Sequence, residues 1–234
     1  MQDYQRAFAD FLWEAGSLKI GTFTLKSGRT SPLFLNTGLL DTGERYLKLG
    51  AAFAEAALRQ LGPDGFDVVF GPAYKGISIG VATAIGLAQK GVDKACLSDR
   101  KEAKAHGAEA ADLSVAKRLL GRPPAENARF ILVDDVLTDG ATKIDAVNLL
   151  REISPECQIP GLFIILDRQE QNQNGENPVA AFSDRTGVPV HAVLRTTELI
   201  DDLAARDRIS AADVARCRAY WGEFGTDEAK VWAK

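Results

Sequence analysis

Short apolar runs with a preference for β-structure alternate with helix-like segments through the middle of the chain. The runs lie at residues 67–70, 95–97, 130–133 and 162–166, with a weaker fifth at residues 190–194. Between them, residues such as 77–90 and 141–153 carry apolar side chains at helical spacing. This alternation is typical of a parallel sheet with crossover helices. We therefore predict a doubly wound α/β core.

The N-terminal part of the chain has a different pattern. Residues 3–15 place aromatic and leucine side chains at helical spacing, which predicts an amphipathic helix capped by Asp3. Residues 20–38 alternate polar and apolar positions and predict two short strands joined by a turn. The alanine and leucine content of residues 44–61 predicts a second helix before Gly62.

The C-terminal part returns to helix after the last apolar run. Residues 197–221 carry a helical pattern with a serine cap at Ser210. In the middle of the chain, residues 106–128 are polar and alanine-rich, and Pro123 and Pro124 interrupt them. We predict a loose region there.

Composition narrows the class of protein. The chain has 234 residues, of which 46% are hydrophobic and 26% are charged, so we expect one domain over residues 1–234. Its apolar stretches fall short of the roughly 20 residues that a spanning helix needs, which argues against an integral membrane protein. The N-terminal sequence lacks the order of a signal peptide, and the three cysteines are widely spaced. We expect a cytoplasmic protein.

Charge and metal-ligand content exclude other classes. The formal net charge of −4 argues against generic nucleic-acid binding. The cysteines form no CxxC pair and the chain has only two histidines, so a structural zinc site is not expected. A small-molecule enzyme is the class that remains.

The segment FILVDDVLTDGAT, residues 130–142, carries the most chemistry. An apolar strand leads into Asp134 and Asp135, then into a Thr/Gly loop and a helix. Backbone N–H groups of such a loop and the dipole of the helix favour a phosphate, and the hydroxyls of Thr138 and Thr142 add donors. Carboxylates accept hydrogen bonds from a ribose diol. The segment therefore predicts a ribose 5-phosphate site, while the Walker loop and GxGxxG are both absent.

This segment resembles the phosphoribosyl-diphosphate (PRPP) motif of type I phosphoribosyltransferases. Residues 23–36 (FTLKSGRTSPLFLN), 70–77 (FGPAYKGI), 99–107 (DRKEAKAHG) and 166–170 (LDRQE) resemble the orotate phosphoribosyltransferases in particular. The resemblance implies a parallel sheet flanked by helices as the PRPP-binding core, at about residues 65–195. It also implies a small hood over the base, built from about residues 1–40.

The resemblance implies transfer of the 5-phosphoribosyl group from PRPP to orotate, giving orotidine 5′-monophosphate and diphosphate in UMP biosynthesis. The catalytic residues that it implies are Lys104, His106, Asp134 and Asp135. PRPP would bring Mg²⁺ with it, and we expect no direct protein ligand to that metal.

The resemblance also assigns residues to the two substrates. For PRPP these are Lys26, Tyr74, Lys75, Arg100, Lys101, Lys104, His106, Asp134, Asp135, Val136, Leu137, Thr138, Asp139, Gly140, Ala141 and Thr142. For orotate they are Lys26, Phe34, Leu35, Thr138 and Arg168, with Arg168 on the carboxylate.

The chemistry of these residues agrees with the assignments, although each has a plainer interpretation. The GPAYKG loop can bring backbone amides and the Lys75 ammonium onto a diphosphate, but it can also be an ordinary turn. The basic residues at 100–106 can stabilise a departing diphosphate, but a charge run is usually a solvated surface. Phe34 offers a flat surface to orotate, but an aromatic residue at such a position usually packs in the core.

In the family, the basic segment is a mobile loop that closes over the site of the neighbouring subunit. The resemblance therefore implies a homodimer in which Lys104 and His106 act in the partner's site. Here a longer, helix-prone stretch follows, at residues 108–124. Two further departures are Asp139, at a position where a small residue is common and expected to point outward, and Leu35, where an aromatic residue is frequent.

Two alternatives use the same fold. A purine phosphoribosyltransferase would keep the phosphate loop but lack the set of Lys26, Phe34 and Arg168. A regulatory protein that senses PRPP and controls nucleic acid would carry a DNA-binding segment or a basic face, and neither is visible in the sequence.

Overall fold

The structure is a computed structural model that describes residues 1–25, 28–100 and 118–234. Its N-terminal part contains two helices and two strands. Helix α1 (Asp3–Glu14) is followed by strands β1 (Leu18–Thr24) and β2 (Thr30–Leu35), a 3₁₀ turn (Thr37–Leu39) and helix α2 (Gly43–Leu61). Strands β1 and β2 pair antiparallel, with Leu18 opposite Leu35. They form a small sheet separate from the larger one.

The larger sheet has six strands in the described part of the chain. They are β3 (Val68–Phe70), β4 (Ala95–Asp99), β5 (Leu119–Leu120), β6 (Arg129–Val136), β7 (Gln158–Asp167) and β8 (Val190–Arg195). Their spatial order is β5-β4-β3-β6-β7-β8, and only β5 is antiparallel to its neighbour. The chain runs outward from β3 to β4 and then returns to β6 on the other side of β3. The strand order therefore reverses between β3 and β6, which is where open α/β sheets bind ligands.

Six further helices of the described residues accompany the larger sheet: α3 (Lys75–Gln89), α4 (Ala141–Ile153), α5 (Pro178–Thr186), α6 (Thr196–Ala205), α7 (Ala211–Phe224) and α8 (Asp227–Trp232). No helix of the described residues combines the length and apolar character needed to cross a membrane.

Alternate residues of the strands bury two separate cores, one on each face of the sheet. Val69, Ile131 and Phe163 pack with α1, α2, α3, α6 and α7. Phe130 and Leu162 pack on the opposite face with α4 and α5. Because side chains of a strand point alternately to its two faces, a nearly continuous apolar run in a strand satisfies both cores. The predicted doubly wound core is confirmed.

Helices α2 and α3 approach each other closely at glycines. A Cβ atom added at Gly50 would lie 1.9 Å from the carbonyl oxygen of Ala82, and one added at Gly86 would lie 2.4 Å from the carbonyl oxygen of Gly50. Only glycine fits at this crossing. The close packing fixes α3, and with it Lys75 at the helix start, against the sheet.

Most predicted elements agree with the structure, and the exceptions have local causes. The backbone amide of Gln2 donates to Gln5 Oε1, so Gln2 precedes the helix and Asp3 lies in its first turn; the predicted Asp3 cap was wrong. The Ser210 cap is confirmed, since its Oγ accepts from the Asp213 amide. Residues 197–221, which were predicted to be helical, lie largely in α6 and α7, and the chain turns between these helices at Asp207, whose φ is +54°.

The predicted loose region is the other place where the structure differs. Strand β5 lies within it and pairs with β4, with Ser98 opposite Leu120. Of the helix-prone stretch at residues 108–124, only residues 118–124 are described, and these contain β5. Two strand residues are too few to produce a periodic signal. Helix α5 was also missed, although Asn177 caps it and Pro178 opens it.

Candidate active site

The predicted site residues that the structure describes gather mainly at the carboxyl edge of the larger sheet. Lys75 follows β3, Arg100 follows β4, Asp134 and Asp135 end β6, and Arg168 follows β7. The contact that spans the crevice between β3 and β6 joins Lys75 Nζ to Asp135 Oδ2 at 2.6 Å. Thr37, from the turn after β2, donates its hydroxyl to the same oxygen at 3.2 Å.

The loop between β3 and α3 has a backbone path that depends on glycine. A Cβ atom at Gly71 would lie 1.9 Å from the carbonyl oxygen of Gly76, and a Cβ atom at Gly76 would lie 2.7 Å from the ring of Pro72. The amide of Ala73 donates to Asp99 Oδ1 at 2.5 Å, which fixes the loop to the end of β4. Tyr74, with 75% of its surface exposed, projects from this loop next to Lys75.

The two aspartates point to opposite faces of the sheet, as expected of neighbours in a strand. Asp135 meets Lys75 on the side of α3, whereas Asp134 Oδ2 lies 2.6 Å from Nζ of Lys143 in α4. Both aspartates are buried. The backbone amide of Asp135 donates to Asp134 Oδ1.

Their electrostatic environments differ. Burial raises the pKa of the Asp134 carboxyl, and the ammonium of Lys143 opposes that shift only in part. For Asp135, burial also acts to raise the pKa, but the hydrogen bond and charge of Lys75 outweigh it, so the pKa lies below its usual range. Asp135 is therefore a stable anion near neutral pH.

The loop after β6 and the start of α4 form the predicted phosphate site. Leu137 is buried, while Thr138 and Asp139 are exposed. Gly140 has a φ of +75° and precedes α4 without a side-chain cap of its own. The Ala141 amide donates to Asp139 Oδ1 at 3.1 Å, so the exposed Asp139, predicted to point outward, turns back onto the helix start. The other amide groups in the first turn of a helix are those that can bind an anion.

The remaining members of the predicted PRPP loop are Val136 and Thr142, which are both half-buried. The amide of Val136 donates to Asp135 Oδ1 at 2.8 Å. Thr142 lies in the first turn of α4. Both residues are thus beside the aspartates and the helix start.

Arg168 is held by residues from three other parts of the fold. Its Nη2 donates to Glu170 Oε1 at 2.7 Å and to Ser31 Oγ of β2 at 3.2 Å. The indole Nε1 of Trp221 in α7 donates to the carbonyl oxygen of Arg168 at 2.8 Å. The contact to Ser31 brings Arg168 to the small N-terminal sheet.

The predicted base-binding residues of β2 are only half-buried. The Phe34 ring stacks on that of Phe23 with centroids 5.2 Å apart, so it contacts an aromatic neighbour within the small sheet. Leu35 packs against the core beneath the sheet. The structure brings Arg168 to this sheet at Ser31, which faces away from Phe34 in a regular strand.

Arg100 lies where β4 meets β5. Its Nε donates to the carbonyl oxygen of Leu119, and its amide donates to that of Arg118. Four predicted site residues, Lys26, Lys101, Lys104 and His106, lie outside the described residues.

Sequence reasoning missed several residues that the structure places at the site. They are Thr37, Asp99, Lys143, Glu170, Ser31 and Trp221. Ser31, Asp99 and Glu170 stand in segments that carry the family resemblance, so a signal existed for them. The others reach the site from distant parts of the chain or from a different helix face, and no local pattern marks them. The described residues contain no group of three or more His, Cys, Asp or Glu arranged to hold a metal ion.

Comparison with known proteins agrees with this geometry. The profile of the phosphoribosyl transferase domain family matches residues 37–184. The chain is 38% identical to the orotate phosphoribosyltransferase of Methylococcus capsulatus over 97% of its own length and 100% of the relative's. It is 36% identical to that of Marinobacter nauticus, with 95% and 100% covered.

A solved structure gives the same result for the fold. The crystal structure of the orotate phosphoribosyltransferase of Francisella tularensis matches with a TM-score of 0.79 and 28% identity, over 94% of this chain and 100% of that one. The domain match and the relatives that align along almost the whole chain establish the family to which this protein belongs. This chain belongs to the orotate phosphoribosyltransferase family.

Proposed function

We propose that this protein transfers the 5-phosphoribosyl group from PRPP to orotate, giving orotidine 5′-monophosphate and diphosphate for pyrimidine (UMP) biosynthesis. The observation that carries the proposal is the crevice between β3 and β6. There the Lys75 ammonium and the Asp135 carboxylate meet at 2.6 Å beside the start of α4, where Gly140 has no side chain to cap the helix. A cation for diphosphate, a carboxylate for ribose and a helix start for phosphate are the three groups that PRPP requires.

Each part of PRPP has a matching surface. The amides around Gly140 and the hydroxyls of Thr138 and Thr142 receive the 5-phosphate. Asp134 and Asp135 accept hydrogen bonds from the ribose hydroxyls. When diphosphate binds Lys75, it replaces the contact of that ammonium with Asp135, and the carboxylate becomes available to the ribose.

The reaction needs no protein nucleophile. The ring nitrogen of orotate forms a bond to the anomeric carbon of PRPP and loses its proton, which the departing diphosphate accepts. The bond from that carbon to diphosphate oxygen breaks, and diphosphate leaves with the electron pair. Attack from the opposite side inverts the configuration at the anomeric carbon. The carbon gains positive charge in the transition state, and the nearby carboxylates stabilise it.

Magnesium belongs to the proposal as part of the substrate. Asp134 is paired with Lys143, and Asp135, once Lys75 turns to the diphosphate, is taken by the ribose hydroxyls. Oxygen atoms of PRPP and water are therefore the expected ligands. A magnesium ion brought in by PRPP would neutralise charge on the diphosphate and so make it a better leaving group.

Orotate is assigned to Arg168 and the small sheet. The hydrogen bonds of Arg168 to Glu170 and Ser31 use Nε and Nη2, so within the described part Nη1 is the donor left for a substrate carboxylate. The guanidinium is fixed by Glu170, so it binds a planar carboxylate with little loss of side-chain entropy. Phe34 lies on the opposite face of that sheet, stacked on Phe23, and is assigned to the base by the family resemblance alone.

A homodimer with an exchanged lid completes the proposal. Arg100 and Arg118, which flank residues 101–117, are joined by a backbone hydrogen bond, so that segment starts and ends at the edge of the site. Helix α3 exposes Val81 and Ile85 one turn apart, in line with Tyr74 at the crevice. An apolar stripe of this kind suits a second copy of the chain. Lys104 and His106 would then act in the partner's site.

A cytoplasmic location is part of the same proposal. Cys96, Cys157 and Cys217 are all free thiols in the structure, which suits a reducing compartment.

The substrate proposal is tested by following orotate absorbance after addition of PRPP and Mg²⁺. Uracil, adenine and hypoxanthine replace orotate in parallel reactions, and a chelator removes the metal in another. Turnover with orotate alone, lost on chelation, is the expected result. Turnover of a purine base would favour the purine phosphoribosyltransferase, and PRPP binding without turnover of any base would favour the sensor.

The lid proposal is tested by mixing two inactive variants, Lys104→Ala and Asp135→Asn. If Lys104 acts across the interface, mixed dimers contain one intact site, and activity recovers to roughly a quarter of the wild-type value. Absence of recovery in dimers that are shown to have exchanged subunits would place the lid in its own subunit.

A further inference from the structure

Lys143 in the first turn of α4 makes the most deeply buried ion pair of the described residues. Its Nζ lies 2.6 Å from Asp134 Oδ2, and the two side chains are 12% and 6% exposed. Each other ion pair recorded in the described ranges has at least one side chain that is more exposed than these two. Neither the sequence motif nor the proposed chemistry gives this lysine a role.

The position of Lys143 is unfavourable by two local rules. A cation in the first turn of a helix is repelled by the positive end of the helix dipole. Lysine is also rarely buried unless it is paired. A residue that breaks two local rules at once commonly serves a functional site. Here the compensation comes from the Asp134 carboxylate, which is in direct contact, and from the charge of the neighbouring Asp135.

The surroundings of Asp134 show what that compensation does. The charged groups that face its carboxyl are Lys143, from α4, and Asp135, from its own strand. Burial and the neighbouring Asp135 both favour the protonated form of Asp134, whereas Lys143 favours the ionised form. Without Lys143, nothing recorded among the described side chains offsets the cost of the buried negative charge.

We propose that Lys143 is a positioning residue of the transferase reaction: its ammonium keeps the Asp134 carboxylate ionised and ties it to the phosphate-loop helix α4. The inference rests on the proposed function, in which Asp134 receives a ribose hydroxyl of PRPP. The pair joins the ribose carboxylate at the end of β6 to the helix whose start receives the 5-phosphate. The separation of these two groups is then set by one ion pair.

The ion pair is tested first in the ligand-free protein, without reference to activity. Lys143→Met and Lys143→Gln are made in the wild type and in an Asp134→Asn background, and thermal unfolding is followed from about pH 5 to about pH 8. Because loss of Lys143 raises the pKa of Asp134 further above its unfolded value, ionisation costs more in the folded state. The drop in Tm should therefore be largest at high pH, shrink as the pH falls, and lose its pH dependence in the Asp134→Asn background.

The role in turnover is tested by the pH profile of kcat/KM for PRPP. In Lys143→Met the acidic limb of this profile should move to higher pH. At a pH below that limb, kcat/KM should then be lower than in the wild type by about tenfold for each pH unit of the shift. Lys143→Arg should restore the wild-type profile. The matched control is Lys90→Met, which removes an ion pair of similar length, 2.7 Å to Glu55, at the surface; its profile should be unchanged.

Two outcomes overturn the inference. A Lys143→Met or Lys143→Gln enzyme with a higher KM for PRPP by the same factor at every pH would show that Lys143 contacts the phosphate directly. A Tm loss that is equal at all pH values, or equal in both backgrounds, would show that the pair does not control the ionisation of Asp134. If wild-type protein turns over no base, the proposed function fails, and the unfolding experiment still decides the state of the pair.

Discussion

Replacing Gly71 by alanine should damage PRPP use far more than it damages the fold. The new Cβ would lie 1.9 Å from the carbonyl oxygen of Gly76, a backbone atom that no side-chain rotation can move. To reach ordinary contact, the start of α3 must shift by about 1.5 Å. That shift carries Lys75 away from Asp135 and from the diphosphate position.

The size of the effect follows from this displacement. A misplacement of about 1 Å in a binding group typically costs about 100-fold in rate, which is about 2.7 kcal/mol of transition-state stabilisation. We expect kcat/KM for PRPP to fall by about 100-fold. Overpacking costs about 1–3 kcal/mol of stability, so Tm should fall by roughly 2–12 °C and the enzyme should remain folded at assay temperature.

The assay is initial-rate kinetics with each substrate varied in turn, with Tm measured on the same preparations. The matched control is Gly43→Ala at the start of α2, where an added Cβ meets nothing within 4 Å; its kinetics and Tm should stay close to those of the wild type. A folded Gly71→Ala enzyme with kcat/KM for PRPP within twofold of wild type would refute the role given to this loop.

Three further predictions concern other parts of the molecule. Arg168→Lys should raise KM for orotate by about 10-fold or more without changing KM for PRPP, because a lysine cannot hold Glu170 and a substrate carboxylate in the same plane; steady-state kinetics checks it. Asp202 contacts Arg6 and Arg206, and although burial opposes them, they hold its pKa below the usual value of 3.8. The contribution of ionised Asp202 to folding stability is therefore present above about pH 4 and is lost as the pH falls through the lower folded pKa. Thermal unfolding of Asp202→Asn should show a lower Tm than wild type at neutral pH and little difference in strong acid. Burial raises the pKa of the Cys217 thiol to about 12, so a thiol reagent at about pH 8 should modify Cys217 only when denaturant is added. Mass spectrometry measures the modification with and without denaturant. Rapid modification of Cys217 in the folded protein would contradict the prediction.

The parts of the fold that the sequence could predict are those with a local signal. Helix α4 was predicted with its observed bounds, because Gly140 and Ser154 border a periodic apolar pattern. Strand β6 was recognised from its continuous apolar run, which two buried faces require. Strand β5 was missed because its two residues are a strand only through their pairing with β4.

The candidate site divides in the same way. Asp134, Asp135 and the phosphate loop follow one strand, so their proximity is local and could be predicted. The contact of Lys75 with Asp135 depends on β3 and β6 being neighbours, and strand order has no local signal. The pairing of Lys143 with Asp134 depends on which side of the sheet α4 covers. Tertiary packing, not the pattern of residues, decides both contacts.

The central claim is most directly tested by ³¹P NMR of a single reaction containing PRPP, orotate, Mg²⁺ and purified protein. Wild-type protein and an Asp135→Asn variant, purified side by side, are compared so that any contaminating enzyme is detected. With wild-type protein, the PRPP signals should give way to equal amounts of diphosphate and one phosphomonoester, and the variant should be slower by about 100-fold or more. Conversion at equal rates by both proteins, or no phosphomonoester with the wild type, would contradict the account.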